Sequence, residues 1–148
     1  MNGSSNHGPV RKFKRFGWVF YIGDDSTLAP DKTGKWMYFF NNLSFVRDAC
    51  ERAVANGVVV EAKHSDASRG VACFYLNSDD IAAHRKTITF FLENNLIRRT
   101  KSGRLYDISF KLDSQTEAGE YAGGFHSDTR LSTFLDLNTA EWINLQPE

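Results

Sequence analysis

Phe45, Val46, Ala49, Cys50, Ala53 and Val54 recur at helical spacing, a pattern that lays one side of an α-helix against a core. Ser44 stands before them as a candidate N-cap, whose hydroxyl can accept from a free first-turn N–H. Gly57 follows where a left-handed C-terminal residue is needed. A helix over residues 44–56 has to bury that stripe against another layer, and its flanks supply one. Residues 17–22 (GWVFYI) and 35–40 (KWMYFF) precede it, and 58–64 (VVVEAKH) and 71–76 (VACFYL) follow it. All four are short apolar and aromatic runs bounded by Gly, Asn or Ser, which predicts strands. Residues 24–34, with Pro30 and Gly34, read as a loop, and 65–70 as a turn.

Ser78 predicts the cap of a second helix, with Asp79 and Asp80 in a first turn that favours negative charge. Ile81, Ile88, Phe91 and Leu92 form its buried stripe, His84, Lys86 and Glu93 face elsewhere, and Asn94 and Asn95 stop it. Residues 104–112 (RLYDISFKL) alternate. Tyr106, Ile108, Phe110 and Leu112 share an apolar face, and Leu105, Asp107, Ser109 and Lys111 share a mostly polar one. That pattern fits an antiparallel sheet covered on one side. Residues 131–137 read as a last strand, with Trp142 and Ile143 anchoring the tail. The order ββαββαββ predicts an α+β fold: one curved, mainly antiparallel sheet with two helices packed on its apolar face. Residues 1–10 read as a disordered lead-in and 11–148 as a single domain.

Twelve of the 148 residues are Phe, and aromatic residues make up 14% of the chain, which suits a core built on pleated surfaces. The formal net charge is zero, so any basic site has to be local. No apolar run is long enough to predict a membrane span, and the polar N-terminus lacks the apolar stretch of a signal peptide. Cys50 and Cys73 lack CxxC partners and read as buried thiols. The sequence therefore reads as a cytoplasmic protein. His7, His64, His84 and His126 show no ligand-like spacing, and neither a P-loop nor GxGxxG occurs. No metal and no cofactor are expected.

Three blocks carry a resemblance. They are GKWMYF (residues 34–39) leading into a helix, VEAKHS (60–65), and FKLDSQTEAGEY (110–121) followed by RLSTF (130–134). In this order they resemble the basophilic-leukaemia-expressed protein family over residues 34–134. Phe110 stands where that family usually has Tyr, and Leu131 where it usually has Pro. The resemblance implies the fold of the cap-binding translation initiation factors, a strongly curved antiparallel sheet with helices on its convex side. It does not carry cap binding with it.

Lys63, Lys111 and Arg130 match recurrent basic positions of the family, and Arg85 lies near a further one. Convergence of the first three on the polar sheet face would make an anion site. Arg suits bidentate phosphate contact and Lys supplies a point charge. The alternative is solvated charges paired with Glu61, Asp107 or Asp113. The expected ligand is a phosphorylated small molecule, a nucleotide or a phosphopeptide. Some relatives are described as phosphothreonine lyases, which eliminate phosphate with a Lys base and a His acid. Lys63 would be that base. Neighbouring strand residues point to opposite faces, so the acid would be His126, in the Gly-rich segment 119–126, rather than His64. A third reading is a protein-interaction module, viral in one version, that meets a host partner through the basic and aromatic run RKFKRF (residues 11–16). That run could also touch nucleic acid. Trp18, Trp36 and Trp142 read as core or rim residues rather than as a base-sandwiching pair.

Overall fold

The computed structural model describes residues 10–23, 28–113 and 129–143. The strands are β1 (Arg11–Arg15), β2 (Trp18–Ile22), β3 (Thr33–Phe40), β4 (Glu61–Ser65), β5 (Gly70–Asn77) and β6 (Phe110–Leu112). Helix α1 (Leu43–Ala55) joins β3 to β4, α2 (Ile81–Glu93) follows β5, and a 3-10 turn occupies Leu131–Thr133. The strands form one sheet in the order β1-β2-β4-β5-β3-β6, and every pairing is antiparallel. The expected α+β class with two helices is therefore observed.

Directly paired residues project to the same side of an antiparallel sheet. Tyr21, Ala62, Phe74, Trp36 and Phe110 form one continuous row from β2 to β6, and all five are buried. Val46, Ala49, Cys50 and Ala53 of α1 and Ile88 and Phe91 of α2 join them in the core. Phe91 meets Phe74 edge-on at 5.1 Å between ring centroids. Both helices thus cover one face of the sheet. Gly34 is required by this packing, because a Cβ there would meet the Phe110 ring at 2.5 Å and the Lys111 carbonyl at 2.7 Å.

Several local expectations are corrected. Asn42, not Ser44, caps α1: its extended backbone lets the carboxamide accept from the Phe45 N–H at 3.0 Å. Asp80, not Ser78, caps α2 and accepts from the Ala83 N–H. His84, expected to face elsewhere, is fully buried. The Trp36 Nε1–H donates to its Nδ1 at 3.0 Å, and its own Nε2–H donates to the Ser78 carbonyl at 2.9 Å. The third predicted strand starts at Glu61 rather than at residue 58. The run 11–15, not among the predicted strands, is itself an edge strand with all five residues exposed.

The largest difference concerns residues 104–112. Only Phe110–Leu112 is strand. Upstream, the chain turns tightly between Thr100 and Arg104, and the Leu105 N–H donates to the Leu137 carbonyl. Leu105 is drawn into the core while Tyr106 is left 48% exposed, the reverse of the predicted faces. Residues 131–137 begin as a 3-10 turn rather than a strand. Leu131, Phe134, Leu135 and Leu137 are nonetheless buried in the core with Trp36, and the Phe134 ring packs against Trp36 and His84. Cys50 and Cys73 are free, buried thiols. Among the described residues no helix is long and apolar enough to cross a membrane.

Candidate functional site

The helix-free face of the sheet carries the charged and aromatic side chains. One row across it reads Ile22, Glu61, Tyr75, Lys35 and Lys111, and the next reads Phe13, Phe20, Lys63, Cys73 and Met37. Lys63 and Lys111 therefore share a face, three strand spacings apart, or about 14 Å at ~4.8 Å each. Lys35 stands between them, paired directly with Lys111. Lys35 is inconspicuous in the sequence because it sits in an aromatic run. The usable signal was alternation, with Lys35 on the opposite side from Trp36.

Lys63 is surrounded by rings. Its Nζ lies 4.0 Å from the Trp18 centroid, 5.6 Å from that of Phe20 and 6.0 Å from that of Tyr75, within the range of cation–π attraction. Trp18 is thus half-buried on this face, and Trp36 is core. Lys35 Nζ donates to Asp113 Oδ1 at 2.8 Å with only 11% of its side chain exposed. Burial raises the Glu61 carboxyl pKa, the nearby Asp113 charge raises it further, and Lys63 opposes the rise. Burial likewise raises the Tyr75 phenol and the Cys73 thiol, so both stay neutral. Three lysines thus face two carboxylates, one of them reluctant to ionise, with rings beside them. The arrangement suits an anion carrying a flat or apolar group.

The other candidates lie apart. Arg130 pairs with Ser109 beyond β6, about four strand spacings, roughly 19 Å, from Lys63. It is exposed, and its Nη1 donates to the Asp107 carbonyl at 3.4 Å. Asp107, considered as a partner for the lysines, instead accepts from the Ser132 N–H and hydroxyl, both at 2.8 Å. Arg85 belongs to the helix layer. Its guanidinium lies 4.5 Å from the Trp142 ring centroid beside a cavity of about 510 Å³ that Lys86 and Gly57 also line. The sheet separates it from Lys63.

His64 points away from Lys63, as alternation requires. It is fully buried, with Nδ1–H donating to the Ser65 carbonyl at 2.8 Å and Nε2 accepting from the Tyr21 hydroxyl at 3.0 Å. Burial pushes the Tyr21 phenol up to about 12. His126 and the Gly-rich segment around it lie outside the described residues. Among the described residues no cluster of three His, Cys, Asp or Glu side chains is placed to hold a metal ion.

No protein-family model, curated protein or solved structure matches the chain.

Proposed function

We propose that this chain is a small binding domain whose helix-free sheet face accepts a phosphorylated ligand: a nucleotide, a small molecule or a phosphopeptide. One observation carries the reading. Lys63, Lys35 and Lys111 occupy one face in adjacent register rows, with the Trp18 ring packed on Lys63. Lysines supply point charges for a phosphate, and the rings offer a stacking partner for whatever the phosphate carries.

The three sequence blocks that resemble the basophilic-leukaemia-expressed family supply β3, β4, β6 and the 3-10 turn, and the first three of these bring the lysines to this face. This supports membership of that family and a sheet of the cap-binding initiation factor type, in which the lysine-bearing face would be the concave one. Binding needs only the lysines and rings of this face, whereas phosphothreonine elimination would also need His126, which lies outside the described residues.

A thermal-shift series with inorganic phosphate, mononucleotides and a phosphothreonine peptide tests the reading. A ligand at a hundred times its dissociation constant adds about 2.7 kcal/mol of apparent stability. Lys63→Ala should abolish the shift. If no ligand shifts the unmodified protein, the anion site is refuted. Release of inorganic phosphate from the peptide would replace binding with elimination.

A further inference from the structure

The phosphate-accepting face does not stop at Lys63. Arg11, Phe13 and Arg15 of β1 pair with Ile22, Phe20 and Trp18 of β2 and so project to the same side as Lys63. The rings of Phe13 and Phe20 stack at 4.9 Å with 10° between their planes. The Arg15 guanidinium lies 5.8 Å from the Phe13 centroid, and Lys63 lies over Trp18 and Phe20 on the next strand. Cations and rings alternate over a patch three strands wide. It ends at the free edge of the sheet, where an extended ligand can leave the surface.

The charges of β1 sort by face. Lys12 and Lys14, on the helix side, pair with Glu51 at 3.2 Å and Asp66 at 3.7 Å. Among the described residues no carboxylate lies within ion-pair distance of Arg11 or Arg15. Among the described residues, then, the ion pairs of β1 belong to its lysines and not to its arginines.

A second, independent feature lies at the hairpin tip. Phe16 and Gly17 form a two-residue turn in which both φ angles are positive, 52° and 82°. Such a turn favours Asn followed by Gly, because a side chain in the left-handed region crowds its own carbonyl. The chain places Phe there and leaves it 91% exposed, so neither the strain nor the wet ring is offset by packing. A strained residue that gains nothing from the fold points to contact with a ligand.

Building on the phosphate-binding reading above, we infer that the β1–β2 face binds single-stranded nucleic acid, with unstacked bases on Phe13, Phe16 and Trp18 and phosphates on Arg11, Arg15 and Lys63. Bases stack on sheet-borne aromatic rings in a sequence-tolerant way, and Arg and Lys track the backbone. An acidic peptide would use the cations but would have no use for coplanar rings or for an exposed Phe in a strained turn.

Fluorescence anisotropy with matched ten-nucleotide RNA and DNA single strands, their duplexes and a polyglutamate peptide tests this, beside the mononucleotide thermal shift. The single strands should bind more tightly than the duplexes, the peptide and the mononucleotide, and preference between the RNA and DNA arms identifies the natural source. Phe13→Ala should weaken single-strand binding at least about fivefold. Arg11→Gln with Arg15→Gln should lower the slope of log affinity against log salt by about 1.4, two phosphates at ~0.7 each. Phe16→Asn separates fold from function. It should raise the melting temperature by about 2 °C or more while weakening the single-strand complex. Unchanged binding by Phe16→Asn, or equal affinity for duplex or polyglutamate, overturns the inference. If Lys63-dependent mononucleotide binding persists while oligonucleotides gain nothing over it, this inference fails and the phosphate site stands. If neither binds, both fail.

Discussion

Lowering the pH from about 8 to 5.5 should destabilise this fold well before Asp79 and Asp136 titrate, because two histidines are sealed in the core as neutral rings. Each is fixed in one tautomer. The Trp36 indole can only donate, so His84 Nδ1 must accept, and its proton sits on Nε2, donating to Ser78. His64 holds its proton on Nδ1 against the Ser65 carbonyl and accepts from Tyr21. Protonating His84 would set a new Nδ1–H against the Trp36 N–H, whereas the Tyr21 hydroxyl can turn to accept from a protonated His64, and there the cost is that of charging a buried ring. Burial is the leading cause that lowers both pKa values.

An unfolded histidine takes up its proton near pH 6.5, whereas these do so only at lower pH in the fold. Stability is therefore full above about 6.5 and is lost as the pH falls below it. Each ring contributes at most about 1.4 kcal/mol per pH unit, so the pair costs up to about 3 kcal/mol near pH 5.5. Glu61 acts in the opposite direction. Its raised pKa means that the fold takes up that proton first and gains stability as the pH falls, so the experiment belongs in a Glu61→Gln background. Asp79 and Asp136, whose pKa values are lowered by hydrogen bonds, lose their contribution only below about pH 4. Urea unfolding across this range should show the loss, and His84→Gln should roughly halve its slope. A flat profile between pH 8 and 5.5, or a slope unchanged in both His84→Gln and His64→Gln, would refute the reasoning.

Gly34→Ala should cost about 1–3 kcal/mol, because its Cβ would meet both a ring and a backbone carbonyl; an unfolding midpoint equal to the parent's would show that β6 can shift at no cost. Glu61→Gln should tighten phosphate binding at neutral pH roughly fourfold, the effect of removing one like charge about 5 Å away even at the dielectric of water, and calorimetric titration reads it. Asp107→Ala removes two hydrogen bonds to Ser132 and should cost about 1–3 kcal/mol, measured by urea unfolding, without changing ligand affinity.

How far each segment could be read from sequence follows from how local its determinants are. Helix α1 was legible because its apolar stripe repeats within the segment. So were β3 and β5, whose aromatic runs are bounded by turn residues. Strand β1 was not, because both of its faces are wet and a strand without a buried side leaves little periodic trace. Residues 104–109 alternate well enough to imitate a strand, yet their fate is decided by a turn at Thr100–Arg104 and by Leu137, far along the chain. The shared face of Lys63 and Lys111 could be inferred from alternation. That Lys35 stands between them, and that Arg130 and Arg85 stand elsewhere, depends on strand order, which no local pattern encodes.

Strand β4 alternates more sharply than its neighbours: Ala62 and His64 are sealed against the helices while Glu61 and Lys63 look outward. A misaligned β4, displaced by a single residue against β2 and β5, would drive an ammonium and a carboxylate into the aromatic layer and expel an imidazole that has partners only there. The strand thus carries its own proofreading, since the neighbouring misfold is penalised by charge burial at two positions at once. Length variation nearby should then be absorbed by the exposed stretch 66–69 that follows β4, where an added residue loops outward and leaves the alignment of the sheet intact.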